Sequence, residues 1–289
     1  SNTRCQRMSY KHKYLETDEE EALREGYISE FIEYNIGVEL TDKEQLEYAK
    51  YTKVITENIN KFGKGGLELA GLCLSGNKEH KGKDFCFMWA GKHGWVNGMN
   101  TNIPANKQIN DIWNPSKIIG YANQLMTSIR DRKDILYSAE NKLLVALEVV
   151  EKYPDLKTIC FSQSTQFAST LGYKINEFFY NKEGDNNKCV IYHSKLETVM
   201  GINPKTGKPM KFGKKRLKDI AIERIKFGTA SHISTASALD KGFDVRDIRL
   251  GITTSSTQNP TQGTQRGGRV KRVEHLDNTG KTKQEKTKL

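Results

Sequence analysis

The chain has 289 residues, enough for one large domain or two modest ones with a core that offsets the ordering of the backbone. Lys and Arg number 46 against 35 Asp and Glu, a net charge of +11, and 36% of the residues are apolar, which fits a folded chain rather than a disordered one. No apolar run approaches the roughly 20 residues that span a bilayer, and no leader with a charged start and an apolar core opens the chain, which argues against a membrane segment and against export.

The five cysteines, Cys5, Cys73, Cys86, Cys160 and Cys189, are odd in number and contain no Cys-x-x-Cys pair. Free thiols in a reducing compartment are expected, and the expected location is intracellular and cytoplasmic, in a host cytoplasm if the gene is carried by a phage. The opening Ser1, Asn2 and Thr3, without Met, read as a remnant of tag removal and suggest a piece of a longer protein.

In chain order, Asp18, Glu19, Glu20 and Glu21 form an acidic first turn ahead of Leu23, Tyr27, Ile28, Phe31 and Ile32 at helical spacing, which predicts a helix over 18–34. Thr41 with Glu44 is a capping-box pattern that opens a helix through about Ile59. Residues 62–100, rich in Gly, Lys and Asn, read as a loop-heavy insertion. Cys73, His80, Cys86 and His93 fall within it, but their wide spacing lacks the close ligand pairs of a compact zinc module, so they read as ordinary loop residues.

From Ser138 the texture changes. Ser138 is expected to cap a helix through Tyr153 with Leu143, Leu144, Leu147 and Val150 on one face, closed by Pro154. Short apolar runs at 158–161, 189–192, 231–234 and 248–253 read as buried strands, with helices at about 164–180 and 214–227 between them. Alternating strands and helices predict parallel strands in an α/β layered domain. The chain thus divides into 1–135, a mostly helical connecting region with a loop-rich insertion; 136–275, the α/β domain; and 276–289, a polar basic tail.

The positive charge sits in two blocks. Residues 201–227 hold nine Lys or Arg against two Asp or Glu, and residues 261–289 hold eight against three, so the rest of the chain is close to neutral. Concentrated positive charge points to a polyanion, unless it is only a solvated basic surface. Within the second block, Gln265, Gly268, Arg269 and Arg272 place two guanidinium groups one helical turn apart behind a Gly pair, an arrangement suited to a phosphate whose charge grows in a transition state. Thr235, Gly242 and Asp244 follow a strand, where hydroxyls and backbone N–H groups form a natural phosphate seat. Ser162, Gln163 and Ser164 close another strand, with Ser164 placed to cap the next helix.

These residues resemble the second RecA-like domain of a superfamily 2 helicase, over roughly 136–275. The Q-x-x-G-R-x-x-R pattern of helicase motif VI is matched by Gln265, Gly268, Arg269 and Arg272, and motif V by Thr235, Gly242 and Asp244. Motif IV resembles Ile159, Cys160, Phe161 and Ser162, and a His-Ser pair after the next strand matches His193 and Ser194. Residues 25–62 resemble the connecting region between motor domains of Swi/Snf-like and phage relatives.

The resemblance implies a RecA-like parallel sheet with flanking helices. It makes Arg269 and Arg272 arginine fingers toward ATP held by an N-terminal RecA-like domain of the same protein, with Gln265 orienting them. Gly242, Asp244 and Gly268 would lie at the nucleotide. Ser162, Gln163, Ser164, His193, Ser194 and Thr235 would face a nucleic-acid backbone, DNA favoured over RNA. ATP and Mg2+ are the implied cofactors of the full-length protein. Two departures stand out: Ala236 replaces an acidic residue after the motif V Thr, and residues 200–214 extend the usual loop with a basic Gly/Pro hairpin, either a duplex-touching element or a solvated loop.

A P-loop is missing. Gly201 and Gly207 are one residue too far apart for G-x-x-x-x-G-K-[ST], and Pro209 stands where the magnesium-binding hydroxyl belongs. No Asp-Glu-x-Asp/His strand end occurs either. The chain alone is therefore expected not to hydrolyse ATP. The alternatives are a non-catalytic nucleic-acid-binding module and a duplex translocase that does not separate strands; a dinucleotide enzyme lacks its G-x-G-x-x-G turn.

Overall fold

A computed structural model describes residues 32–62, 65–82, 84–86, 88, 115–203, 206–236 and 248–255. The helix expected over 18–34 lies almost wholly outside the described residues, and its described end, from Ile32, is not helical. The chain divides into two compact units, one of them Glu39–Asn141 and the other containing the chain from Lys142 onward.

The first unit is helical. Helix α1 (Asp42–Phe62) opens with the capping box its sequence predicts: Thr41 N–H donates to Glu44 Oε2 at 2.9 Å, and Glu44 N–H donates to Thr41 Oγ1 at 3.4 Å. Helix α2 (Gly66–Ser75) corrects the loop-heavy reading of 62–100, because Ala70 and Cys73 turn inward and join Ile55, Phe62, Phe85 and Cys86 in one apolar cluster. Helix α3 (Pro115–Ser138) adds Ile118, Ala122 and Leu125 to that cluster, spaced by four and then three residues along one face. Cys73 and Cys86 are buried free thiols, and the side-chain hydrogen bond to Cys86, then burial, push the Cys73 thiol far up.

Ser138 is the last residue of α3 and not the cap expected for the following helix, α4 (Glu140–Lys152). The cap comes from elsewhere in the chain: Glu44 Oε1 accepts from the Glu140 N–H at 2.9 Å. Burial alone would raise the Glu44 pKa, but the N–H groups of Thr41 and Glu140 and the Thr41 hydroxyl hold it below the usual carboxylate range.

The second unit is a parallel sheet with helices on both faces, the α/β fold class expected of a RecA-like domain after a mostly helical region. Strands β1 (Thr158–Ser162), β2 (Cys189–His193), β5 (His232–Ala236) and β6 (Leu250–Thr253) form one sheet in the order β2-β5-β1-β6, and every pairing is parallel. Between β2 and β5 the chain makes an antiparallel hairpin, β3 (Val199–Ile202) and β4 (Pro209–Phe212), at the basic Gly/Pro hairpin read from residues 200–214.

Alternation along each strand sends side chains to opposite faces. On one face Cys160 and Cys189 pack with Phe167, Leu171, Ile175 and Phe179 of helix α5 (Thr165–Glu183) and with Ala146 and Val150 of α4. On the other, Ile159, Phe161, Val190 and Ile233 pack with Ala221 and Ile225 of helix α6 (Lys214–Lys226). Leu144, placed by sequence on the buried face of α4, is half exposed.

Candidate nucleic-acid interface at the carboxyl edge of the sheet

Because the four strands run the same way, their carboxyl ends share one edge. Register places Ser162 of β1 and His193 of β2 on either side of Ala236 at the end of β5. Three segments that the sequence singled out, 162–164, 193–194 and 235–236, are thereby brought together from positions far apart in the chain. In open α/β sheets, ligands bind outside this edge, where loops leave the strands.

The side chains divide into those that hold the edge and those that it presents. Ser162 is buried, and its hydroxyl lies 3.0 Å from the Ser164 carbonyl and 3.1 Å from the Thr235 carbonyl, tying the end of β1 to its own loop and to β5. Ser164 is the N-cap of α5 as expected, and its hydroxyl accepts from the Phe167 N–H at 3.2 Å.

His193 is buried with both ring nitrogens engaged. Nδ1 accepts from the Lys195 N–H at 3.2 Å, which makes Nε2 the protonated nitrogen that donates to Ser169 Oγ at 2.8 Å. Burial, then the Lys218 and Lys195 ammonium groups, lower its pKa, so the ring is neutral at pH 7. A neutral, doubly bonded imidazole is a poor phosphate ligand. It acts as a brace between α5 and the turn after β2.

Thr235 is also buried, and its Oγ1 has no hydrogen-bond partner among the described residues. Of the six side chains expected to face a nucleic-acid backbone, Ser162, His193 and Thr235 face inward. Ser194 is exposed, and Gln163 and Ser164 are partly so. Gln265, Gly268, Arg269, Arg272, Gly242 and Asp244 lie outside the described residues.

Sequence reading missed the partners that fix this edge. Ser169 of α5 and the Lys195 amide hold His193, and Ser234 Oγ donates to the Ala168 carbonyl of α5 at 2.7 Å. Thr254, just past β6, donates both its N–H and its hydroxyl to the Phe161 carbonyl, at 3.0 and 3.1 Å. Apart from the local Lys195 contact, these pairs have no local sequence signature, because each joins residues far apart in the chain that only the folded sheet brings together. Lys218, from the helix after the hairpin, stacks 5.2 Å over the Tyr192 ring and carries positive charge to the end of β2.

Among the described residues no group of three or more His, Cys, Asp or Glu side chains could hold a metal ion, and no helix is long and apolar enough to cross a membrane. No protein-family model matches the chain, and no curated protein matches it. Among solved structures it is similar to the Mycobacterium smegmatis helicase Lhr bound to ssDNA and AMP-PNP, with 19% identity and a TM-score of 0.35, covering 45% of this chain and 16% of that one. It is also similar to the Pyrococcus furiosus Hef helicase domain, with 12% identity and a TM-score of 0.41, covering 86% of this chain and 54% of that one. The chain thus spans 16% and 54% of the lengths of these two structures.

Proposed function

We propose that the chain is the C-terminal motor domain of an ATP-dependent nucleic-acid helicase or translocase of superfamily 2. The observation that carries this reading is the shared carboxyl edge, where the motif IV segment, the His-Ser pair and the motif V Thr meet on a parallel sheet. Exposed Ser194 and the Gln163 and Ser164 loop are the groups offered to a sugar-phosphate backbone. Contacts of that kind give affinity without sequence preference.

The described residues do not fit a magnesium site, and the sequence has no P-loop. ATP and Mg2+ would therefore be held by an N-terminal RecA-like domain of the same protein. Arg269 and Arg272 would reach that nucleotide, with Gln265 orienting them and with Gly242, Asp244 and Gly268 beside it. When bound, ATP would supply the free energy for opening and closing the two motor domains on the nucleic acid.

The test is Arg272→Ala in the longer protein that carries both motor domains. ATP turnover is expected to fall by ~10³ with folding intact, as for loss of an arginine finger. Near-normal turnover removes the finger. The missing P-loop favours a second reading, a non-catalytic nucleic-acid-binding module; a natural protein that binds nucleic acid but hydrolyses no ATP would establish it.

A further inference from the structure

The β3–β4 hairpin interrupts the α/β pattern at the edge just described. Its entry follows Ser194 at the end of β2, and its exit, Gly213, opens α6, whose Lys218 lies over Tyr192 one residue before that end. An isolated two-stranded ribbon is marginal in water and needs internal support. Here the Phe212 ring lies against Gly201, where a Cβ would collide with it, and the Asn203 N–H donates to the Lys208 carbonyl at 2.9 Å across the turn.

Register sorts the hairpin into two faces. Val199, Gly201, Met210 and Phe212 share one face, and Met200, Ile202, Pro209 and Lys211 share the other, with Met200 opposite Lys211 and Ile202 opposite Pro209. The second face is bare: Met200 and Ile202 are each 68% exposed. Around it the charge has one sign. Between Glu197 and Asp219 the sequence holds six Lys, one Arg and no acidic residue, and Lys208, Lys211, Lys214 and Lys215 are exposed. Arg216 meets Glu223 at 4.0 Å, while Lys208 and Lys211 have no acidic partner among the described residues.

We propose that this hairpin is a second nucleic-acid contact that engages the junction between duplex and single strand, with Met200, Ile202 and Pro209 against the exposed face of the terminal base pair and Lys208 and Lys211 on the flanking phosphates. The charge fits a polyanion and disfavours an apolar protein groove without acidic groups. Alkyl side chains have no attraction for phosphate, but Met, Ile and Pro act as wedges on base faces, and inside a continuous duplex such a wedge must first unstack a base step, which costs free energy. A duplex end offers a face already uncovered, so the contact there carries no unstacking cost. The inference rests on the proposed function, since it adds a contact beside the same sheet edge.

The test uses this chain without nucleotide and measures fluorescence anisotropy with a labelled forked DNA, a single strand and a blunt duplex of matched length. The fork is expected to bind tightest. The double substitution M200S/I202S is expected to remove about tenfold of the fork preference, the order expected for losing apolar burial against the base face, while leaving single-strand affinity and thermal stability unchanged. K208A/K211A is expected to weaken all three and to lower the salt slope by about 2.

A wild-type chain without fork preference, or M200S/I202S with the preference intact, overturns the hairpin assignment and leaves the proposed function standing. Self-association of the wild type that M200S/I202S abolishes assigns the face to a second copy and also overturns it. Failure of the wild type to bind any of the three nucleic acids overturns the proposed function together with this contact.

Discussion

The two faces of the parallel sheet are cut from the same strands, both bury an apolar cluster, and they differ in how many buried polar side chains they hold. Toward α6 the inward residues are Ile159, Phe161, Val190 and Ile233, an aliphatic and aromatic layer closed by Ala221 and Ile225. Toward α5 they include Thr158, Ser162, His193, His232 and Ser234, all buried, and three of them bond to α5 or to its cap: Ser162 to Ser164, His193 to Ser169 and Ser234 to Ala168. The apolar face stabilises by area, at about 25 cal/mol per Å², and tolerates small slides of its helix. The polar face cannot slide, because each shift would leave a buried donor or acceptor without its partner, at about 1–3 kcal/mol apiece. The difference fixes where α5 begins, and so where the 162–164 loop stands at the carboxyl edge.

The polar face also holds a close approach of helix to sheet that one substitution would break. A glycine inside a helix costs about 1 kcal/mol relative to alanine, so one in the middle of α5 needs a packing reason. Gly172 has one: a Cβ there would sit 2.5 Å from Ile191 Cγ1 and 3.5 Å from Ser234 Cβ. Gly172→Val is expected to destabilise by about 3 kcal/mol, read as a lower denaturant midpoint. Adding Ile191→Ala should recover part of the loss. A Gly172→Val chain as stable as wild type would mean that α5 is free to move, and the distinction between the faces would collapse.

The next effect is smaller and depends on pH. His232 is fully buried, with Nδ1 hydrogen-bonded to Ser231 Oγ at 2.7 Å and its ring centroid 5.0 Å from that of Phe179. Burial, and then the Lys188 ammonium, push its pKa down to about 4. The ring is neutral in the fold, whereas the unfolded chain takes up a proton below about pH 6.5. Between those values the unfolded state binds more protons, so stability is complete above about pH 6.5 and is lost as pH falls toward 4. The full loss from His232 is about 3 kcal/mol, at roughly 1.4 kcal/mol per pH unit. His193, also lowered, contributes in the same direction. Denaturant unfolding at pH 7 and pH 4.5 should show a flatter response in His232→Leu than in wild type. Equal losses in both would place the acid-sensitive proton elsewhere.

The apolar face was readable from sequence and the polar face was not. Runs such as Ile159 to Phe161 and Val190 to Tyr192 announce buried parallel strands through composition alone, and Ser164 announces its helix through local capping chemistry. The Thr41 and Glu44 box was readable for the same reason, since its partners are three residues apart. The second service of Glu44, capping α4 across 96 residues, was not, and Ser138 took its place in the reading because it is the nearest residue of the right type. Helix α2 was hidden among the glycines and lysines around it. His193, Ser162 and Thr235 were found by motif, which gives position along the chain but not the direction of a side chain. Only their burial beneath the helices that cover the sheet shows that they turn inward.

Thr235 gives the smallest expected change in stability and the sharpest division between holding the edge and serving it. Its Cα lies on the strand between those of Ser234 and Ala236, and by alternation its side chain belongs with Ile233 on the apolar face. There its hydroxyl is an exception, 1% exposed and without a hydrogen-bond partner among the described residues, while its carbonyl accepts from Ser162. Valine keeps the shape and removes the hydroxyl. If the hydroxyl contributes nothing to the fold, Thr235→Val should leave stability unchanged or raise it by up to about 1 kcal/mol, because a buried polar group without a partner is a cost. A loss of 1–2 kcal/mol would instead show that the hydroxyl is a structural bond of the carboxyl edge. With stability held, the same variant in the longer protein should leave ATP turnover stimulated by nucleic acid unchanged, since a hydroxyl turned into the apolar face does not reach a bound strand. A fall in stimulated turnover alone would show that the end of β5 opens when the strand binds.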